Sequence, residues 1–536
     1  MIMQKYIVQN IKLPIGASTY DVFSSARKRL LKFFSAKNIN DLKIYKKSVD
    51  ARKKNDIKFV YSVMATVEGK ADVSKLASEG IAVAKNADIS PVFGSEEMHG
   101  RPVIVGFGPC GMFAALLLAK YGYRPIVLER GKNTKERSAD AAHFYESRKL
   151  DTESNIQFGA GGAGTFSDGK LMTRINDPKC AFVLETMVSC GAPEDILSNA
   201  RPHVGTDHLK TVVSEMEKQI VSLGGEIRYK TRFDGFAAES GRTVRSIAAG
   251  GDTVECGVLV LAVGHSARDT FSVLGKSSLV LTPKPFSVGV RTEHLQENID
   301  KALYGDMAGD PRLPVGEYNL SCHIGGRGVY TFCMCPGGEV VAAASEHGGV
   351  VTNGMSSYSR DGKNANCAVA VSVLPEDFGG TVSGAIDFQR RIERAAYAAG
   401  GGNYTAPCQS MGSFLGKGTK NDVGGISPTY MDGHVAFTEL EKIFPSFITD
   451  SLRTGFCDFD KKLHGFAAED AVITAPETRT SSPLRMQRDA DFTAKNYDNI
   501  YVGGEGAGYA GGITSAALDG VNIALAIMAR FSPPAL

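Results

Sequence analysis

The stretch VIVGFGPCGMFAALLLAKYGYRPIVLERG, residues 103–131, decides the fold. Val103 to Val105 reads as a short apolar strand. Gly106, Gly108 and Gly111 form a G-x-G-x-x-G turn, with Pro109 inside it, and Met112 to Lys120 continues as a helix. Ile126 to Leu128 is the next strand, and it ends at Glu129 and Arg130. Each part has a physical task. Gly106 makes the tight turn, Gly108 lets the backbone approach a pyrophosphate, and Gly111 allows close packing of helix on sheet. The helix N-terminus offers free N–H groups and partial positive charge to the same pyrophosphate. Glu129 falls where an acid accepts hydrogen bonds from an adenosine ribose. Strand, turn, helix, second strand and acid in that order predict a dinucleotide site.

Two further glycine segments extend it. Near the C-terminus, Ile500 to Val502 runs into Gly503, Gly504 and Glu505, then Gly511, Gly512 and a helix from Ile513. An acid at such a strand end reaches the ribityl or pyrophosphate region of a flavin dinucleotide, and the helix N-terminus stabilises negative charge on the reduced ring. The acid usual there is Asp; this chain has Glu505. The other segment is SNIQFGAGGAGTFSDGKLMTR, residues 154–174, whose glycines let backbone wrap a large planar ligand. Gly162, Gly164, Thr165, Ser167, Asp168 and Lys170 are its expected cofactor contacts, with Lys170 near anionic atoms. These segments point to FAD. A second Rossmann fingerprint is missing, so any NAD(P)H binds transiently in the substrate cleft, or a protein donor supplies the electrons.

The composition of this 536-residue chain is ordinary for a soluble protein, apart from 60 glycines and no tryptophan. Apolar runs such as AALLLA are too short to span a bilayer, and MIMQKYIVQNIKL is too polar for a signal peptide. Ten cysteines without framework spacing fit reduced thiols in a cytoplasm. Neither C-x-x-C nor H-E-x-x-H occurs, so a metal site has no support. Charge is uneven: residues 1–70 carry 15 Lys+Arg against 5 Asp+Glu. A separate basic module at the front follows, reading strand, helix, strand, strand, with Phe23, Leu30, Leu31 and Phe34 on the helix's apolar side. Its charge suits an acidic partner such as RNA, a less favoured reading than a small-molecule enzyme.

The strings FGAGGAGTFSDGKL, FCMCPGGEVV, NGMS, ETRTSSP and GGEGAGYAGGITSAALDG together resemble a bacterial family of FAD-dependent dehydrogenases, sometimes called NAD(FAD)-utilising dehydrogenases. The resemblance covers nearly the whole chain. It implies a glutathione-reductase-like FAD-binding fold and an FAD-binding oxidoreductase, and it names no substrate.

The expected architecture is α/β. A Rossmann-type FAD domain comprises residues 102–280 and 490–536, and a strand-rich α+β substrate domain, 281–489, is inserted in it. An N-terminal α+β module of ferredoxin-like type, 1–85, precedes a linker, 86–101. Within the substrate domain, Cys333 and Cys335 stand two apart on a strand and so share a face. They read either as packing or as a thiol near the flavin, with Cys335 the candidate proton donor or charge-transfer partner. Arg291 and His294 are the other catalytic candidates, suited to holding a carboxylate or donating a proton. Asn353, Ser356 and Arg479 are further polar candidates. The expected activity is hydride transfer between a small molecule and flavin N5; reduction of unsaturated lipids is an alternative.

Overall fold

In the computed structural model, which describes residues 3–85, 89–417 and 423–534, the glycine turn lies at the edge of a five-stranded parallel sheet. Its order is Ile500–Val502, Val258–Leu261, Pro102–Val105, Ile126–Leu128 and Glu226–Arg228. The four strands other than Glu226–Arg228 are buried at every position, as a parallel sheet covered on both faces requires. Helices Pro109–Lys120, Gly205–Ser222 and Ile513–Arg530 cover one face, sharing a core that includes Phe113, Val213 and Ile527. An antiparallel meander, Phe233–Ser240, Thr243–Ala249 and Asp252–Glu255, covers the other with Phe233, Val244 and Ile247. Because the strands are parallel, Val105, Leu128, Leu261 and Val502 all deliver their following loops to one edge. Ligands of open parallel sheets bind there.

Helix Ile513–Arg530 is long and apolar enough to cross a membrane by length and composition, which the short apolar runs of the sequence did not reveal. Here 61% of it is buried in this domain. Gly520 lets it lie directly against the Cys110 carbonyl of the neighbouring helix.

The basic module has the order β-α-β-β-α-β, and its antiparallel sheet runs Ile39–Asp50, Lys58–Glu68, Met3–Pro14, Ile81–Val83. That is a split βαβ arrangement. Its first helix, Thr19–Leu30, starts at a capping box between Ser18 and Asp21 and buries Val22, Ala26 and Leu30 at a spacing of four. Leu31, expected on the apolar side, lies beyond the helix end and is 47% exposed. The edge strand of the module is paired: Lys47 N–H donates to Ser198 O at 2.7 Å, and Ala200 N–H donates to Lys47 O at 2.8 Å. Of the expected linker, residues 86–88 lie outside the described residues. Its later part is strapped to the C-terminal helix, with Gly94 N–H donating to Met528 O at 2.8 Å and Ser532 N–H to Glu96 O at 2.9 Å.

The inserted region builds a seven-stranded sheet in the order Ser321–Ile324, Arg327–Cys335, Asn364–Val373, Phe286–Leu295, Val472–Glu477, Ala406–Ser410, Val435–Phe437. All neighbours are antiparallel except the last pair. Helices Val382–Ala399 and Ser446–Lys462 contribute Phe388, Ile392, Leu452 and Phe456 to its core. A two-stranded ribbon, Glu339–Ala342 with Thr352–Met355, brings Asn353 beside the middle of this sheet.

Candidate functional site

A cavity of about 360 Å³ opens at the carboxyl edge of the parallel sheet and runs to the seven-stranded sheet. At its first end lies the glycine turn. Gly106 has φ +102°, and a Cβ there would stand 2.6 Å from Ala262 O, so no other residue fits. Gly111 does not line the cavity; a Cβ on it would strike the Gly106 carbonyl, so its part is packing. Gly108 differs from both: its backbone is extended, and a Cβ would meet only Gly162 Cα at 3.9 Å. Neither conformation nor protein contact demands glycine at 108, which leaves a ligand to demand it.

Glu129 lines the cavity and is 5% exposed. Its Oε2 accepts from Phe107 N–H at 2.9 Å, and Oε1 accepts from Gly131 N–H at 2.9 Å and Gly159 N–H at 3.0 Å. The three bonds fix the loops around the site and leave Oε2 one acceptor position, enough for a ribose hydroxyl. Arg130 also lines it, but its guanidinium is engaged by Glu153 and Asp269 and lies 4.1 Å over the Phe158 ring.

Two helix N-termini converge on this space. Gly108 starts Pro109–Lys120 and Gly512 starts Ile513–Arg530, and neither cap supplies a side-chain acceptor. Gly511, Gly512 and Ile513 line the cavity. First-turn N–H groups without a capping side chain are ready donors to an anionic ligand.

Of the glycine-rich loop, Gly162, Gly164, Ser167 and Lys170 line the cavity, whereas Thr165 and Asp168 do not. Thr165 is buried beneath the loop, its hydroxyl donating to Ala160 O at 3.2 Å. Asp168 is a brace: it accepts from Arg360 Nε at 2.9 Å, Lys170 Nζ at 2.9 Å and Ser356 Oγ at 2.9 Å. Burial pushes its carboxyl up, but Lys170 and Arg360 outweigh burial and hold it below the usual carboxylate range. At the last strand, Glu505 lines the cavity while Gly504 lies behind it, donating its N–H to Asp519 Oδ2 at 2.7 Å. Glu505 Oε1 pairs with His265 Nδ1 at 3.1 Å. His265, which the sequence reading passed over, lines the cavity with a side chain 9% exposed, and its buried Nε2 has no partner among the described residues. Its position just past Val258–Leu261, at a parallel-strand end, was the available signal.

At the far end the seven-stranded sheet contributes Phe332, Cys333 and Glu477, the loop after Glu477 contributes Arg479 and Thr480, and the two-stranded ribbon contributes Asn353. The three expected catalytic residues are elsewhere. Between Phe332↔Ala368 and Cys335↔Asn366 the strand carries one more residue than its partner. That bulge puts Cys333 at φ +44° and separates the two thiols. Cys333 lines the cavity, and Cys335 is fully buried, its thiol donating to Cys333 O at 3.3 Å. Arg291 is also fully buried. It donates to Glu477 Oε1 at 2.9 Å, Asn353 Oδ1 at 3.0 Å and Cys333 O at 2.8 Å, so it anchors three cavity-lining residues without reaching the cavity. His294, an odd number of residues along the strand from Arg291, falls on the opposite face. There its Nε2 meets Phe466 O at 2.7 Å, and burial lowers its pKa.

Uncapped helix N-termini, the unpartnered His265 Nε2 and the open front of Gly108 fit the pyrophosphate and polar ring edges of FAD. Two matching family models agree. Residues 101–160 match a family described as FAD binding domain, residues 285–480 match the FAD-dependent protein, C-terminal domain-like family, and residues 3–66 match a domain of unknown function. An uncharacterized protein of Clostridium beijerinckii is 45% identical over 505 residues, 93% of this chain and 94% of that one. Similar solved structures include a geranylgeranyl bacteriochlorophyll reductase-like protein from Thermoplasma acidophilum, at 12% identity over 79% of this chain and 76% of that one, TM-score 0.34. A flavoprotein/dehydrogenase from Cytophaga hutchinsonii is 11% identical over 80% and 79%, also with TM-score 0.34. The two flavin-family matches fall on the two walls of the cavity, and FAD is its cofactor.

Proposed function

The chain belongs to the same family as the Clostridium beijerinckii protein and carries an FAD-binding domain, and on that premise we propose that it is an FAD-dependent oxidoreductase acting on a small molecule. The observation that carries the reading is one continuous cavity, walled by the dinucleotide turn at one end and by a polar patch of the inserted sheet at the other. When bound, FAD supplies hydride exchange at N5 of its ring. The chain's own residues do the rest. The helix N-termini at Gly108 and Gly512 hold anionic atoms, and Glu129 and Glu505 accept hydroxyl hydrogens. Arg291 keeps Glu477 and Asn353 fixed at the substrate end. Its guanidinium stays charged because Glu477 outweighs burial.

The test is anaerobic. FAD-loaded protein is mixed with NADH, NADPH and pools of small metabolites while the flavin absorbance is followed. Bleaching by at least one donor supports the reading, and bound flavin that nothing reduces contradicts it. A second reading rests on the basic module: its 15 Lys+Arg against 5 Asp+Glu suit an acidic partner such as RNA. Copurifying nucleic acid lost with rising salt is its signature.

A further inference from the structure

When an alcohol, an amine or a saturated carbon–carbon unit passes hydride to a flavin, a neighbouring atom sheds a proton, so a site for such substrates needs a base in contact with them. The candidates facing the far end are Lys170, Glu477, Cys333 and, nearer the dinucleotide, the His265–Glu505 pair. Lys170 Nζ is held by Asp168 at 2.9 Å and Glu317 at 3.2 Å. Glu477 has both oxygens on Arg291, at 2.9 and 3.2 Å. His265 and Glu505 stand beyond the strand ends of the dinucleotide-binding sheet and pair with each other at 3.1 Å. Among the described residues Cys333 is held by no ion pair, with the Cys335 thiol as its neighbour on the strand, and the sheet goes out of its way to present it. The bulge at 332–335 and the left-handed φ at a non-glycine residue cost stability, and both serve to turn this thiol into the cavity.

We propose that Cys333 is the proton-exchanging thiol of the flavin site: as thiolate it takes the proton the substrate sheds while hydride passes to FAD, and as thiol it returns that proton in the reverse direction. The inference rests on the oxidoreductase reading above. The step balances. The substrate's C–H electron pair leaves with hydride to flavin N5, its second hydrogen leaves as a proton to sulfur, and the cysteine keeps its oxidation state.

The surroundings favour charge on this sulfur. On the same strand, the neighbouring Cys335 thiol is the largest influence holding Cys333 below the ordinary thiol range. Burial opposes it. Arg291, two strands away in the same sheet, and Lys170 from the glycine-rich loop add positive charge, and Asp168 beside Lys170 subtracts from it. Glu477, at the end of its strand, is neutralised by Arg291, and Cys367 lies behind, its own thiol pushed up by burial. Cys335 is driven the other way, by its bond to Cys333 and by burial, and keeps its proton. Of the two thiols, the cavity-lining one is therefore the easier to ionise.

The experiment uses the full-length, FAD-loaded protein, with FAD content measured on every sample. Iodoacetamide labelling is followed across pH with peptide mass mapping, alongside absorbance at wavelengths longer than the flavin's own bands. Cys457, exposed on helix Ser446–Lys462, is the reference thiol. The expected result is that Cys333 labelling rises through an ionisation at least about one unit below that of Cys457. A long-wavelength charge-transfer band rises with it, is lost in Cys333→Ser, and moves to higher pH in Cys335→Ala. Full FAD content with Cys333 ionising no lower than Cys457 and no such band overturns the inference while leaving the oxidoreductase reading standing. Protein that takes up no FAD overturns both.

Discussion

Replacing Gly108 with valine separates a ligand's demand for glycine from the fold's. The backbone at 108 is extended, φ −86° and ψ −176°, a conformation valine adopts readily and one that the following Pro109 also favours. A Cβ meets nothing closer than Gly162 Cα at 3.9 Å, so folding should change by less than about 1 kcal/mol. FAD binding should not survive. Two charge-assisted bonds from backbone N–H groups to a pyrophosphate contribute about 1.5–3 kcal/mol each. Displacing the pyrophosphate therefore costs ~3–6 kcal/mol, or ~10²–10⁴-fold in Kd at 1.4 kcal/mol per decade. Circular dichroism and thermal melting of the apoprotein report the fold, and flavin fluorescence quenching gives Kd. Gly111→Ala is the contrast, because its Cβ strikes the Gly106 carbonyl and the fold itself should fail. A folded Gly108→Val variant that binds FAD as tightly as the parent would refute the reasoning, since the pyrophosphate then lies elsewhere.

Asp168→Asn should destabilise the protein by about 3–5 kcal/mol in denaturant melts at neutral pH, because Arg360 and Lys170 lose a buried partner. Its carboxyl is depressed in the folded state, so its contribution is whole above about pH 4 and is lost as pH falls toward the folded value; the gap between parent and variant should shrink with acid. Arg291→Met should cost a similar ~3–5 kcal/mol by stranding Glu477, measured the same way, with an unchanged melt showing that the anchor is dispensable. A chain beginning near Glu97 should keep full FAD content, since no described residue of the basic module lines the cavity. It should also melt earlier, because the backbone bonds between Lys47 and residues 198–200 are gone.

The dinucleotide end of the site was legible because its chemistry is local. Turn, helix start and acid lie within residues 103–131, and their spacing alone places them at one edge of the sheet. The substrate end was not. A regular strand would have put Cys333 and Cys335 on one face, and the bulge that parts them leaves no trace in composition. Arg291 looked like a substrate group because its partner Glu477 is 186 positions away, and Asp168 looked like a cofactor contact because Arg360 is 192 positions away. Ion pairs that distant carry no periodic signal. His294 was the avoidable error: three residues from Arg291 on a strand, it had to face the other side.

A crystal structure of the FAD-loaded protein would locate the cofactor within the cavity. The adenine end should lie near Thr231 to Phe233, the pyrophosphate on Gly106 to Pro109, and the flavin ring against Ile513 with its reactive edge facing Cys333 and Asn353. A ring lying outside the cavity, or FAD bound with Gly108 uncovered and Cys333 remote from the flavin, would contradict that placement.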